Sequence, residues 1–140
     1  MKFIKVETKH TRQDINNIVS KLENVEVEIL TKLYSTFKHI EYKTKEGFVG
    51  MYAAIDDESI EKLFAEYIKS SIGFSYEDLT KSILYGNVPE MEDDNEQLNL
   101  NYIAKQFVEE NLITDVVLEK ILESGLESLS EFDKKVLEAH

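Results

Sequence analysis

The chain of 140 residues has no cysteine and no tryptophan, one proline, one arginine, five glycines and three histidines. Without cysteine there can be no disulfide, no thiolate zinc site and no cysteine nucleophile. Arg12 is the sole arginine, and the formal net charge is −12. Recognition of phosphates and bases relies on arginine forks and a positive surface, so direct nucleic-acid binding is not expected. No run approaches the ~18 apolar residues of a membrane span. The first residues hold Lys2, Lys5 and Glu7 and no signal-peptide h-region, so the expected location is the cytoplasm. The histidines His10, His39 and His140 have no second histidine three or four residues away, which removes the simplest metal and acid–base arrangements. There is no G-x-S-x-G elbow, no G-x-x-x-x-G-K and no G-x-G-x-x-G.

What is abundant is negative charge, and it is uneven. Residues 1–86 hold fourteen acids and twelve bases, while residues 87–140 hold fourteen acids and four bases. Hydrophobic residues make up 42% of the chain, too many for a disordered acidic polymer and enough for a core.

Local patterns outline an α+β fold, mostly helical, with a small antiparallel sheet around a hairpin over residues 39–55. Residues 2–7 read as a strand, with Phe3 and Val6 near apolar surface. Thr11 caps a helix with Asp14 at N3, and Ile15, Ile18, Val19 and Leu22 form its face as far as Asn24. Residues 25–38 carry two patterns: Val25, Val27 and Ile29 alternate as a strand, whereas Leu30, Leu33, Tyr34 and Phe37 recur as a helix. The helix is favoured and the strand remains its rival. In the hairpin, Glu46-Gly47 supplies the turn, and Gly50 marks a bulge or a close backbone approach. Asp56 or Asp57 caps a helix with the stripe Ile60, Leu63, Phe64, Tyr67 and Ile68. Ser75 caps a further helix containing Leu79, Ile83 and Leu84, stopped by Gly86.

Three parts are expected: an α+β core over 1–86, an acidic linker or loop over 87–97 and an acidic three-helix region over 98–140, either separate or packed on the core as one domain. The linker holds Pro89 and a dense run of acids. The first later helix spans about 99–111, with Leu100, Ile103, Ala104, Phe107 and Val108 inward. Thr114 caps the second, Ile113 and Leu118 staple its start, and Val117, Leu118, Ile121 and Leu122 form its buried stripe. Gly125 then closes it in a Schellman ending with Leu126 folded against Ile121. Ser128 or Ser130 opens the last helix, which faces Phe132, Val136 and Leu137 inward.

The run Leu118-Glu119-Lys120-Ile121-Leu122, followed by Gly125, Ser128-Leu129-Ser130 and Asp133, resembles a short tail motif of Bacteroidetes proteins. That motif also occurs at the cytoplasmic C-terminus of many of their rhomboid-family membrane proteases. The likeness covers residues 118–137, with Asp133 where the motif prefers glutamate. It implies a helix-turn-helix hairpin. The protease core is absent, so no proteolytic activity comes with it. Residues 1–113 resemble no family.

The acids Glu90, Glu92, Asp93, Asp94 and Glu96 could offer oxygen ligands, but the glycine and spaced glutamate of a calcium loop are missing, so a solvated charge run is the reading and no metal or cofactor is expected. Asp56 and Asp57 are helix caps rather than a catalytic pair. The aromatics between Tyr34 and Tyr67 are expected to be mostly core. Together these readings favour a non-enzymatic acidic interaction protein, an inhibitor or immunity-type binder of a basic protein partner. The candidate contacts are Glu90, Glu92, Asp93, Asp94, Glu96, Glu119, Glu123 and Glu127. Two alternatives stand beside it: a DNA mimic of the phage or anti-defence kind, using a row of carboxylates, and an enzyme whose site is assembled from distant residues. A homodimer through apolar stripes is a further arrangement.

Overall fold

The computed structural model describes residues 1–23, 27–28, 30–32 and 38–138. The fold is α+β, and the chain divides into two compact units, Met1–Leu79 and Thr80–His140. The division falls before the segment leading to Gly86, whereas the acidic run had suggested a seam after it.

The first unit contains β1 (Lys2–Thr8), α1 (Arg12–Val19), β2 (Lys38–Lys43), β3 (Val49–Ile55), α2 (Asp57–Lys69) and β4 (Phe74–Asp78). The four strands form one antiparallel sheet in the order β2-β3-β1-β4. Further helical residues, 27–28 and 30–32, lie between α1 and β2. Alternation along β1 separates its two sets of side chains. Ile4 and Val6 join Met51, Ala53 and Ile55 of β3, and Leu63 and Tyr67 of α2 cover them together with Ile72. Ile18 of α1 packs against the same cluster. Phe64 and Phe74 stack with ring centroids 4.8 Å apart, and Tyr67 lies 5.2 Å from Phe74.

The helix starts follow local chemistry. Thr11 accepts from the Asp14 amide at 3.2 Å, and the Asp14 carboxylate accepts from the Thr11 amide at 3.1 Å, a complete capping box. Asp56 accepts from the Ser59 amide at 2.8 Å at the head of α2. In both cases these hydrogen bonds hold the carboxyl below its usual range. Two expected boundaries differ: α1 ends at Val19 rather than near Asn24, and Ile68, placed in the buried stripe of α2, is exposed.

The expected hairpin is present, closed by a turn in which Gly47 takes φ +85° and its amide donates to the Thr44 carbonyl at 3.0 Å. Gly50 marks a close approach: the Tyr42 ring from β2 fills the space where a Cβ at position 50 would lie. Tyr42 also stacks on Tyr52 at 5.1 Å and donates its hydroxyl to Glu7 at 3.2 Å. Burial, then Tyr52 and Glu7, push the Tyr42 phenol well above its ordinary value, so it stays a donor.

The first part of the helix expected from Ser75 is replaced by β4, and only Thr80–Leu84, with Ile83 and Leu84 buried, is helical. Ser75 and Asp78 imitate a capping box, but the segment instead pairs with β1, from Ile4↔Asp78 to Thr8↔Phe74. The backbone bonds offered by that edge outweigh a local cap. The helix-or-strand question over residues 25–38 falls largely outside the described residues. Val27, Glu28 and Leu30 to Lys32 are helical, and Lys38 already belongs to β2.

The second unit contains α3 (Thr80–Leu84), α4 (Asp94–Asn111), α5 (Thr114–Ser124), a 3-10 turn (Leu126–Ser128) and α6 (Glu131–Glu138). Leu100, Ile103, Ala104 and Phe107 of α4 are buried as expected. The end of α3 is a Schellman motif: Gly86, at φ +90°, donates to the Ile83 carbonyl at 3.0 Å and Asn87 donates to the Ser82 carbonyl at 2.9 Å. Among the described residues no helix is long and apolar enough to cross a membrane.

Gly50→Ala drives a methyl into the Tyr42 ring and is expected to lower unfolding stability by about 1–3 kcal/mol. In urea melts, adding Tyr42→Ala to Gly50→Ala should give less than the sum of the two single losses, because the clash disappears with the ring.

Candidate interaction surface

The acidic run is a loop over residues 87–93 that leads directly into α4. Asp93 is the N-cap of α4 and accepts from the Glu96 amide at 2.9 Å, while Asp94 and Glu96 occupy the first turn, where the helix dipole favours anions. The helix therefore begins five residues ahead of the expected Asn99. Gln97 ties down the preceding segment. Its Oε1 accepts from the Met91 amide at 2.6 Å, and its Nε2 donates to the Pro89 carbonyl at 3.1 Å and to Asn101 Oδ1 at 3.0 Å. Glu90, Glu92, Asp93 and Asp94 are exposed, and Glu96 is half-buried. Asp93 and Glu96 themselves follow the D-x-x-E start pattern, a signal hidden by reading the run as charge alone.

On α5 the expected stripe is turned. Val117 and Lys120 are buried, Ile121 is half-buried, and Leu118 and Leu122 are 47% and 86% exposed. The reason lies on α6. Lys120 Nζ donates to Asp133 Oδ2 at 2.8 Å, and both side chains are almost wholly buried. Asp133 also accepts from the Ser130 amide at 2.8 Å, while its own amide donates to Ser130 Oγ at 3.1 Å. One carboxylate thus caps α6 and receives the lysine of α5. Burial by itself would raise the Asp133 carboxyl, but the Lys120 and Ser130 hydrogen bonds outweigh it and hold the group below the usual carboxylate range. Lys120, Ser130 and Asp133 thus close the hairpin between α5 and α6.

The staple expected at the start of α5 lies on the surface: Ile113 is the N-cap residue, without a side-chain cap bond, and is exposed like Leu118. The Schellman ending at Gly125 also differs. Its φ is +79° as expected, but ψ is 167°, so the chain runs on into the 3-10 turn and Leu126 is 69% exposed.

The three glutamates of the expected row have separate roles. Glu123 accepts from Lys81 Nζ at 2.7 Å, which raises the lysine and lowers the glutamate from their ordinary values. The Tyr85 ring lies under both lysines, 5.5 Å from Lys81 and 6.0 Å from Lys120. Glu119 is exposed on α5, and Glu127 is exposed beyond Gly125 in the 3-10 turn. A continuous row of carboxylates at phosphate spacing is therefore not formed on one helix.

The first unit holds a separate cleft of about 180 Å³ lined by Val6, Thr8, Ile15, Val49, Met51 and Tyr67, with an Arg12–Glu41 ion pair beside them. Thr8 Oγ1 is bonded to the Val49 carbonyl at 3.2 Å. The cleft is apolar, and its charged groups neutralise each other. Among the described residues, no group of three or more His, Asp or Glu side chains is placed to hold a metal ion. Compared with known proteins, the chain matches no family model, no curated protein and no solved structure.

Lys120→Ala strands a buried carboxylate and is expected to cost about 3–5 kcal/mol. Lys120→Met with Asp133→Leu should recover much of that loss while still lacking the carboxylate half of the α6 capping box, the bond accepted from the Ser130 amide. The pH dependence has a definite sign. The folded-state value of Asp133 is depressed, so its contribution is present above the unfolded value near 3.9 and is lost as pH falls through the lower folded value. The stability gap between wild type and Asp133→Asn in chemical denaturation should be constant from pH 7 to about 5 and shrink below about 4.

Proposed function

We propose that this chain is a non-enzymatic interaction protein whose Thr80–His140 unit engages a basic protein partner, in the manner of an inhibitor or immunity-type binder. The supporting observation is the way charge is spent in that unit. It holds fourteen acids and five lysines. Lys120 is buried against Asp133, Lys81 is paired with Glu123, and Lys134 lies 3.6 Å from Glu131. The carboxylates Glu90, Asp93, Asp94, Glu119 and Glu127 are exposed, with few cations left to offset them. A surface of this kind attracts a positive partner over several ångströms and speeds encounter. The first unit supplies no comparable field, since its acids and bases are near balance. The apolar cleft, with neutralised polar groups, gives the enzyme reading little support.

The test is affinity capture from a bacterial lysate with the full chain and with Glu119→Lys/Glu127→Lys, at ~0.1 M and ~1 M salt, where the Debye length falls from about 10 Å to about 3 Å. A basic protein retained by wild type at low salt, and lost both at high salt and with the double variant, is the expected result. Recovery of the same proteins by wild type and variant at both salt levels would remove the reading.

A further inference from the structure

Helix α5 is inverted relative to an ordinary amphipathic helix. Its one basic residue, Lys120, is buried, while Leu122 sits near the centre of its outer face at 86% exposure. Leu118 precedes it by one turn at 47%, and Leu126 follows beyond Gly125 at 69%. A leucine so exposed forgoes most of the stabilisation that burial would give it. Leucines left in solvent one helical turn apart are the kind of exposed apolar surface that marks interaction sites. The inversion is fixed from within: turning Leu122 inward would draw Lys120 away from Asp133 and leave a buried carboxylate unpaired.

We infer that Leu118 and Leu122, extended by Leu126, form a ridge that docks an amphipathic helix of a partner protein, with basic residues beside that helix's apolar stripe. This rests on the reading that the Thr80–His140 unit binds a basic partner, and it names the surface and the shape recognised. The spacing suits a helix: Leu118 and Leu122 stand four residues apart, about 6 Å along the axis. Ridges at that interval seat between the i, i+3 and i+4 side chains of a facing helix. The charge follows from the neighbours. Asp115 and Glu119 are exposed on the same side of α5, the helix's one base, Lys120, is buried, and Lys81 from α3 is taken up by Glu123. A second copy of this chain would present the same carboxylates and the same excess of acids, so like charge opposes self-pairing through this ridge.

The probe is a synthetic peptide helix with leucines at i, i+4, i+7 and i+11 flanked by lysines, compared with a scrambled peptide of equal composition. Binding to the full chain is read by fluorescence anisotropy. The ordered peptide should bind at least about tenfold more tightly than the scramble, and Leu122→Ser should remove about tenfold or more of its affinity. Glu119→Gln/Glu127→Gln should flatten the salt dependence while leaving the preference for the ordered peptide. Thermal melts of Leu122→Ser should match wild type, since the side chain is already in solvent. Equal binding of the two peptides, or no effect of Leu122→Ser, overturns the ridge. If binding then still falls with salt and with the glutamine variant, the wider reading of a basic partner survives, and if neither peptide binds, both readings fall. Light scattering supplies the remaining outcome: a dimer that becomes monomeric in Leu122→Ser would assign the ridge to a second copy and overturn the proposal.

Discussion

The buried ion pair between Lys120 and Asp133 fixes more of the second unit than any other single interaction. A buried charge without its partner is costly, so the rotation of α5 about its axis is set by where Asp133 waits. Asp133 is in turn held by Ser130 through the cap of α6. The same carboxylate thus starts one helix and orients another. A consequence appears on the opposite side of α5, where Leu118 and Leu122 face outward because Lys120 faces in. What looks like a flaw in hydrophobic patterning is the other half of an electrostatic constraint.

A second, weaker cluster supports the same arrangement. Lys81 at α3 bonds to Glu123 near the end of α5, and the Tyr85 ring lies against both Lys81 and Lys120. The Lys81–Glu123 pair is exposed and worth little as a stabilising contact. Its greater effect is on the surface, because it removes one cation and one carboxylate from what a partner meets. The unit keeps a negative outer face by placing three of its five lysines in ion pairs.

The first unit is organised by different physics. Its sheet depends on the apolar residues of β1 and of β3, which is buried from Gly50 to Ile55, with α1 and α2 covering one face. Around Gly50 the sheet uses an absence: without a Cβ, the Tyr42 ring can lie against the backbone, reach Tyr52 and extend its hydroxyl to Glu7. Fold type alone assigns no function here, since function lives in sites carried on a fold. The two units thus differ in character, one built on apolar layers and the other on placed charges.

Local chemistry was legible wherever a short stretch decides its own backbone. Thr11 with Asp14, Asp56 with Ser59, the Gly47 turn and the Gly86 stop could all be read from neighbouring residues, as could the apolar faces of α2 and α4. The start of α4 was also written in Asp93 and Glu96, although charge density obscured it. Tertiary structure alone decided three things. The edge of β1 drew residues 74–78 into a strand against their local helix signal. Gly125 took an extended ψ that turned Leu126 outward. Asp133, thirteen residues away from Lys120 in sequence, drew that lysine into the interior and put the leucines of α5 in solvent. Caps and turns depend on residues a few positions apart, whereas strand edges and buried charges are settled by partners that periodicity does not encode.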